Sequence, residues 1–108
     1  MKNLQPAMKD STRYIKFKIH SDKEIEISEM VENFWDASIG YIGVKNLSNA
    51  NPWLIGNKFD QKNQEGVIRV KKEYVEDIRA SLAMISEIGS SKAFISVEKV
   101  SGNIANFD

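Results

Sequence analysis

An α+β sandwich with elements in the order β-α-β-β-α-β is what this 108-residue chain predicts, and three observations carry the prediction. Residues 13–20 alternate apolar and polar, the period of a strand with one buried face. Two later stretches repeat apolar residues at helical spacing. The charges cancel overall, 15 Lys and Arg against 15 Asp and Glu, yet they sort by segment. Residues 1–24 carry six bases against three acids and 44–72 six against two, whereas 25–43 hold four acids and no base and 73–90 four acids against one base. The basic blocks coincide with strand-like patterns and the acidic blocks with helical ones. A polyanion meeting this chain therefore meets strands and loops rather than helices.

The first strand is Arg13–His20, with Ile15, Phe17 and Ile19 on one side and Tyr14, Lys16, Lys18 and His20 on the other. Ser28 offers a helix N-cap with Glu29 in the first turn. Val31, Phe34, Trp35, Ser38 and Ile42 then recur near the helical period, and Gly43 is the expected stop. Ser48–Pro52 reads as loop and Trp53–Phe59 as a second strand, at an edge because Pro52 lacks a donor. Asp60–Gly66 is a polar turn into a third strand, Gly66–Lys71, with Ile68 and Val70 inward and Val67, Arg69 and Lys71 outward. Val75, Ile78, Leu82 and Ile85 form the stripe of a second helix, with Glu73, Glu76 and Asp77 at its positive end and Gly89 closing it. Ala93–Val100 is the fourth strand. This order is the split-βαβ, ferredoxin-like or RRM-like arrangement: a four-stranded antiparallel sheet with both helices on one face. Its first and third strands are central, which lays a basic stripe of Lys16, Lys18, Arg69 and Lys71 down the open face beside Tyr14.

Composition sets the frame. Apolar content of 42% suits one domain with a modest core, expected over 13–100, after an N-terminal lead-in at 1–12 and before a short tail at 101–108. With no cysteine there is no disulfide framework and no thiolate metal site, and a cytoplasmic location is expected. No apolar run approaches the roughly 20 residues that span a bilayer, and Met1–Thr12 lacks the apolar stretch of a signal peptide.

Catalytic chemistry is hard to find. His20 is the single histidine, and no orienting partner can be named for it, so a solvated strand-end residue is the plain reading. The acids sit at surface spacing on helices and make neither a carboxylate pair nor a metal site. Neither a phosphate-binding G-x-x-x-x-G-K-[ST] loop nor a G-x-S-x-G elbow occurs. Trp35 fits core packing, whereas Trp53 is compatible with capping the core edge or with anchoring a contact. The RNA-recognition motif places K/R-G-F/Y-G/A-F-V-x-F/Y on its third strand. This chain has Gly66-Val67-Ile68-Arg69-Val70-Lys71-Lys72, so the stacking aromatics are missing and RNA contact would be led by charge and shape.

Four stretches resemble a known family: archaeal ribonuclease P protein component 2 and the related eukaryotic Pop/Rpp subunits of ribonuclease P and MRP. They are Leu4–Asp10 leading into Arg13-Tyr14-Ile15-Lys16-Phe17; Phe34-Trp35-Asp36-Ala37-Ser38 followed by Gly43; Pro52-Trp53-Leu54-Ile55 with Gly66-Val67-Ile68-Arg69; and Glu73-Tyr74-Val75-Glu76 with Arg79-Ala80-Ser81-Leu82 and Val100-Ser101-Gly102. The chain departs from the family in having no base after Lys99 and in carrying Lys72 where a small polar or acidic cap is usual. The short tail favours an archaeal over a eukaryotic member. The resemblance implies a non-catalytic subunit of ribonuclease P. Such a subunit binds the catalytic RNA, which removes the 5′ leader of precursor tRNA with Mg²⁺, and holds no cofactor itself. It also implies pairing with the TIM-barrel protein subunit, component 3, as a homodimer within a heterotetramer. The RNA-binding residues expected on this reading are Arg13, Tyr14, Lys16, Lys18, Lys58, Arg69, Lys71 and Lys72. Two rivals are a stand-alone RNA-binding or chaperone domain of the same fold and a small-molecule regulatory module of the ACT type. The latter would want glycine after the first strand, where Ser21-Asp22-Lys23-Glu24 has none.

Overall fold

Every strand pair in the sheet is antiparallel, and the strand order differs from the expected one by an added edge strand. In the computed structural model, which describes residues 11–107, β1 (Thr12–Ser21) lies at the centre. On one side are β3 (Glu65–Lys71) and then β2 (Trp53–Leu54); on the other are β5 (Ser91–Ser101) and then β4 (Glu87–Ile88). The Leu4–Asp10 stretch of the lead-in falls outside the described residues.

The alternation in β1 emerges as expected, with Ile15, Phe17 and Ile19 buried. They form one core with Ile68 and Val70 of β3, Ile88 of β4, Ala93 and Ile95 of β5, and the inner faces of two helices. Phe17 sits opposite Gly66, and a Cβ added at Gly66 would stand 2.6 Å from the Phe17 ring and 3.1 Å from Phe59. Only glycine admits this close approach.

Helix α1 (Ile27–Ala50) starts earlier and runs further than the sequence suggests. Its N-cap is Glu26, not Ser28: the Glu26 side chain takes the backbone N–H of Glu29, and the Glu26 N–H donates to Glu29 Oε1 at 3.2 Å. This is a capping box built on glutamate. Gly43 does interrupt the helix, at φ 81° and ψ 165°, but the chain resumes helical form beyond it. The true stop is Asn51 in the left-handed region, its N–H bonded to the Leu47 carbonyl at 3.0 Å. Trp35, expected in the core, lies at its margin with its ring edge against Phe34.

The second strand is shorter than Trp53–Phe59, because a 3₁₀ turn at Gly56–Lys58 lifts the chain away after Leu54. The loop that follows is tied by side chains. Gln64, at φ 57°, accepts the Ile25 N–H at 2.7 Å and donates to the carbonyls of Ile25 and Gln61, while its own carbonyl takes the Ile19 N–H at 2.8 Å. Asp60 accepts the Asn63 backbone and side-chain N–H groups, which hold its carboxyl below the ordinary range. That stabilisation is present at neutral pH and fades as the carboxylate protonates in acid.

Helix α2 (Val75–Ala83), preceded by a 3₁₀ turn at Lys72–Tyr74, ends six residues before Gly89. The sheet therefore has five strands, not four. Gly89 at φ 63° opens a two-residue hairpin turn between Ile88 and Ser91, and β4 folds back on β5. The helical spacing of Leu82 and Ile85 misled at this point, because Ile85 is buried in the extended return beyond the helix. Ile88 is in the core, whereas Met84 is exposed.

Replacing Gly66 by alanine forces the Phe17 ring to move, and should cost about 1–3 kcal/mol of stability as overpacking does. Urea unfolding of the variant checks this; an unchanged midpoint would mean that the ring has room to yield.

Candidate nucleic-acid interface

Strand register decides which side chains share the sheet face turned away from the helices. Tyr14 pairs with Arg69 on one side and Ser101 on the other, and Arg69 pairs in turn with Trp53. One row across the open face therefore reads Trp53, Arg69, Tyr14, Ser101. The next places Val67, Lys16 and Lys99 side by side, and the one after it Glu65, Lys18 and Ser96. Lys71 stands beyond the first row opposite Thr12. Tyr14, Lys16, Lys18, Arg69 and Lys71 are thus brought onto one surface. An open hollow of about 850 Å³ at its end is lined by Tyr14, Arg69 and Lys71 together with Gly102 and Asn103.

Three expected contributors lie elsewhere. Arg13 is in phase with Ile15 and Phe17, so it is on the helix side of the sheet. Its Nη1 donates to the Thr12 carbonyl at 2.8 Å, and its guanidinium lies close to Gly102. Lys58 sits on the 3₁₀ turn after β2. Lys72 opens the turn before α2, its backbone N–H bonded to the Ser11 carbonyl at 2.9 Å. Val67 faces outward as expected but is buried all the same.

The structure adds residues that the sequence reading missed. Between Lys16 and Phe17 the pairing with β5 slips by one residue: Lys16 faces Lys99 and Phe17 faces Val97, leaving Glu98 as the extra residue of a bulge. Without the bulge, Lys99 would follow Ala93, Ile95 and Val97 to the inner face; with it, Lys99 joins Lys16 on the open one. The signal in the sequence is the broken alternation at Val97-Glu98-Lys99-Val100. Lys99 also lies over the Phe107 ring, 5.7 Å from its centroid. Trp53, 59% exposed beside Arg69, is a second aromatic on the face that carries Tyr14.

The basic surface carries its own counter-charge. Glu65 reaches Lys16 at 3.7 Å, a half-exposed pair worth little to stability. Lys18, Arg69 and Lys71 form no ion pair among the described residues. Those residues also hold no cluster of His, Cys, Asp or Glu that could bind a metal ion, and no helix among them is long and apolar enough to cross a membrane.

An α+β domain with an antiparallel sheet, helices on one face and bases gathered on the other is the class of protein defined so far. The chain belongs to the Rpp14/Pop5 family, whose model matches residues 13–108. It is 40% identical over 103 residues to ribonuclease P protein component 2 of Pyrococcus furiosus, covering 95% of this chain and 84% of that protein. Ribonuclease P protein component 2 of Thermococcus kodakarensis is 37% identical over the same shares, and that of Methanocaldococcus jannaschii 35%, over 96% of this chain and 75% of the relative. Among solved structures, a chain of yeast ribonuclease MRP, determined by cryo-electron microscopy, superposes with a TM-score of 0.68 at 15% identity, covering 87% of this chain and 76% of that one. That likeness extends the fold beyond the archaeal relatives.

Changing Glu65 to glutamine releases Lys16 from its carboxylate and removes a negative charge from the basic face. The variant should elute from heparin at higher salt than the parent protein. Elution at the same salt would show that polyanions do not engage the Lys16 row.

Proposed function

We propose that this chain is a non-catalytic protein subunit of ribonuclease P. It would bind the enzyme's RNA through the open sheet face and so support removal of the 5′ leader from precursor tRNA. The observation that carries the reading is the gathering of Lys16, Lys18, Arg69, Lys71 and Lys99 on one face of a chain whose formal net charge is zero, in a member of a family whose archaeal relatives bear the ribonuclease P name. On this reading the RNA performs the phosphodiester hydrolysis with Mg²⁺. The chain neutralises phosphates, so that the folded RNA closes around its substrate at lower Mg²⁺. It works beside the TIM-barrel protein subunit, two copies of each forming a heterotetramer, in the cytoplasm.

The test is cleavage of precursor tRNA by the cognate ribonuclease P RNA at limiting Mg²⁺, with the TIM-barrel subunit present and this chain added or withheld. Cleavage at the mature 5′ end should rise only when both proteins are present. No change on adding the chain, with an RNA that is active at high Mg²⁺, would overturn the assignment in favour of a general RNA binder. In the same system the double variant Lys16→Gln/Arg69→Gln should bind RNA more weakly. Its log–log salt dependence should become shallower by roughly 0.7–0.9 for each phosphate that is no longer neutralised. An unchanged slope would place the RNA on another surface.

A further inference from the structure

At the far end of the open face from Trp53, the last row of β1 and β5 pairs His20 with Phe94. Their rings lie parallel, with centroids 4.4 Å apart and planes 4° from each other. Ala93 and Ile95 on either side are buried, so the alternation of β5 turns Phe94 to the open face, where it is 58% exposed. Neither ring has a further strand covering it. β3 begins at Glu65, opposite Lys18, and β4 reaches along β5 only to Lys92. The stack therefore stands clear at the end of the sheet.

The imidazole is held from the side. Ser96 Oγ donates to Glu98 at 3.3 Å, and with its proton so committed it accepts from His20 Nε2 at 2.8 Å. A ring fixed this way keeps Phe94 oriented before anything binds, which lowers the ordering cost of a contact. Lys18 and Lys92 lie two residues from His20 and Phe94 along their strands, so on the same face and about 7 Å away. Neither forms an ion pair among the described residues. Lys18, His20, Asp22, Lys92 and Phe94 are among the residues lining an open cleft of about 760 Å³, which Ala83, Ile85 and Ser86 line as well.

We propose that Phe94, backed by His20, is a stacking platform for one unpaired nucleobase of RNA, with Lys18 and Lys92 taking the flanking phosphates. A cross-strand aromatic pair can serve the sheet alone. That role gives no reason for leaving more than half of a phenylalanine in water between two unpaired lysines. An exposed aromatic face with cations on both sides suits a base in a single-stranded loop or bulge, since a duplex hides its base faces. The β3 segment lacks the aromatics of an RNA-recognition motif, and here the platform sits at the end of β1 and β5 instead. The proposal rests on the open sheet face being the RNA surface, and adds what that surface recognises.

The test uses the full chain and two probes: a ten-nucleotide single-stranded RNA with 2-aminopurine at its centre, and the same RNA annealed to its complement. The parent protein should bind the single strand and quench 2-aminopurine by stacking. Phe94→Leu should weaken that binding roughly 5- to 150-fold, abolish the quench and leave the salt slope and duplex binding unchanged. Phe94→Trp should restore both affinity and quench. Unfolding midpoints show that the variants are folded. Parental binding and quenching by Phe94→Leu would overturn the platform. If both probes bind and only Lys16→Gln/Arg69→Gln weakens them, the surface stands and the platform falls. Binding of neither probe would remove the surface reading and the platform together.

Discussion

The fit of the Phe17 ring over the bare backbone of Gly66 is the constraint on which the rest depends. It couples the two strands that carry most of the basic face, and it tolerates no slip. Sliding β3 by one residue would bring Glu65 or Val67 under the ring and turn Arg69 and Lys71 into the core. The cost of burying an unpaired guanidinium or ammonium makes that arrangement untenable. A steric contact inside the core thereby fixes the charge pattern outside it. Gln64 works at the same junction by another means. One side chain and one carbonyl join the end of β1, the β1–α1 connection and the loop before β3, so the strand pair is held in phase at its open end as well.

A chain with no net charge can still present a strongly basic surface, because the two layers of the fold separate the signs. Arg13 apart, the bases of β1, β3 and β5 point away from the helices, whereas Glu29, Glu32, Asp36, Glu76 and Asp77 lie on α1 and α2. Across the thickness of the sheet and helix layers, physiological salt screens the acids from a polyanion at the open face, since screening sets in over about 8 Å. Net charge is thus a poor guide to what this domain binds, and its distribution over the layers a good one.

Much of this was legible in the residues. The alternation of Ile15, Phe17 and Ile19 gave both the core side and the open side of β1 correctly, and through pairing it placed Arg69 and Lys71 as well. Where sequence and structure part, two geometries share one spacing. Ile78, Leu82 and Ile85 suit a helix that continues, yet the chain leaves helical form at Ala83 and buries Ile85 and Ile88 in an extended return. Gly89 serves as well for a hairpin with positive φ as for a helix stop. Gly43 breaks a helix without ending it, because Leu47 and Ala50 beyond it still find the core. Arg13 was expected among the RNA-binding residues but shares the phase of Ile15. Lys99 and Phe94 were hidden for opposite reasons: the first needed a bulge to change faces, and the second was one apolar residue within an apolar run.

The same bulge has a bearing on how the molecule behaves at high concentration. β4 covers only the first two residues of β5, so from Phe94 onward the outer backbone of β5 has no strand beside it among the described residues. An uncovered strand of that length is ordinarily a template on which other chains can polymerise into aggregates. Here Glu98 pushes an extra residue into the strand midway, and Lys99 and Glu98 flank the break with opposite charges. An incoming strand could match the hydrogen-bond spacing on one side of the bulge but not across it. The irregularity that turns Lys99 outward therefore also makes this edge a poor template for a growing sheet.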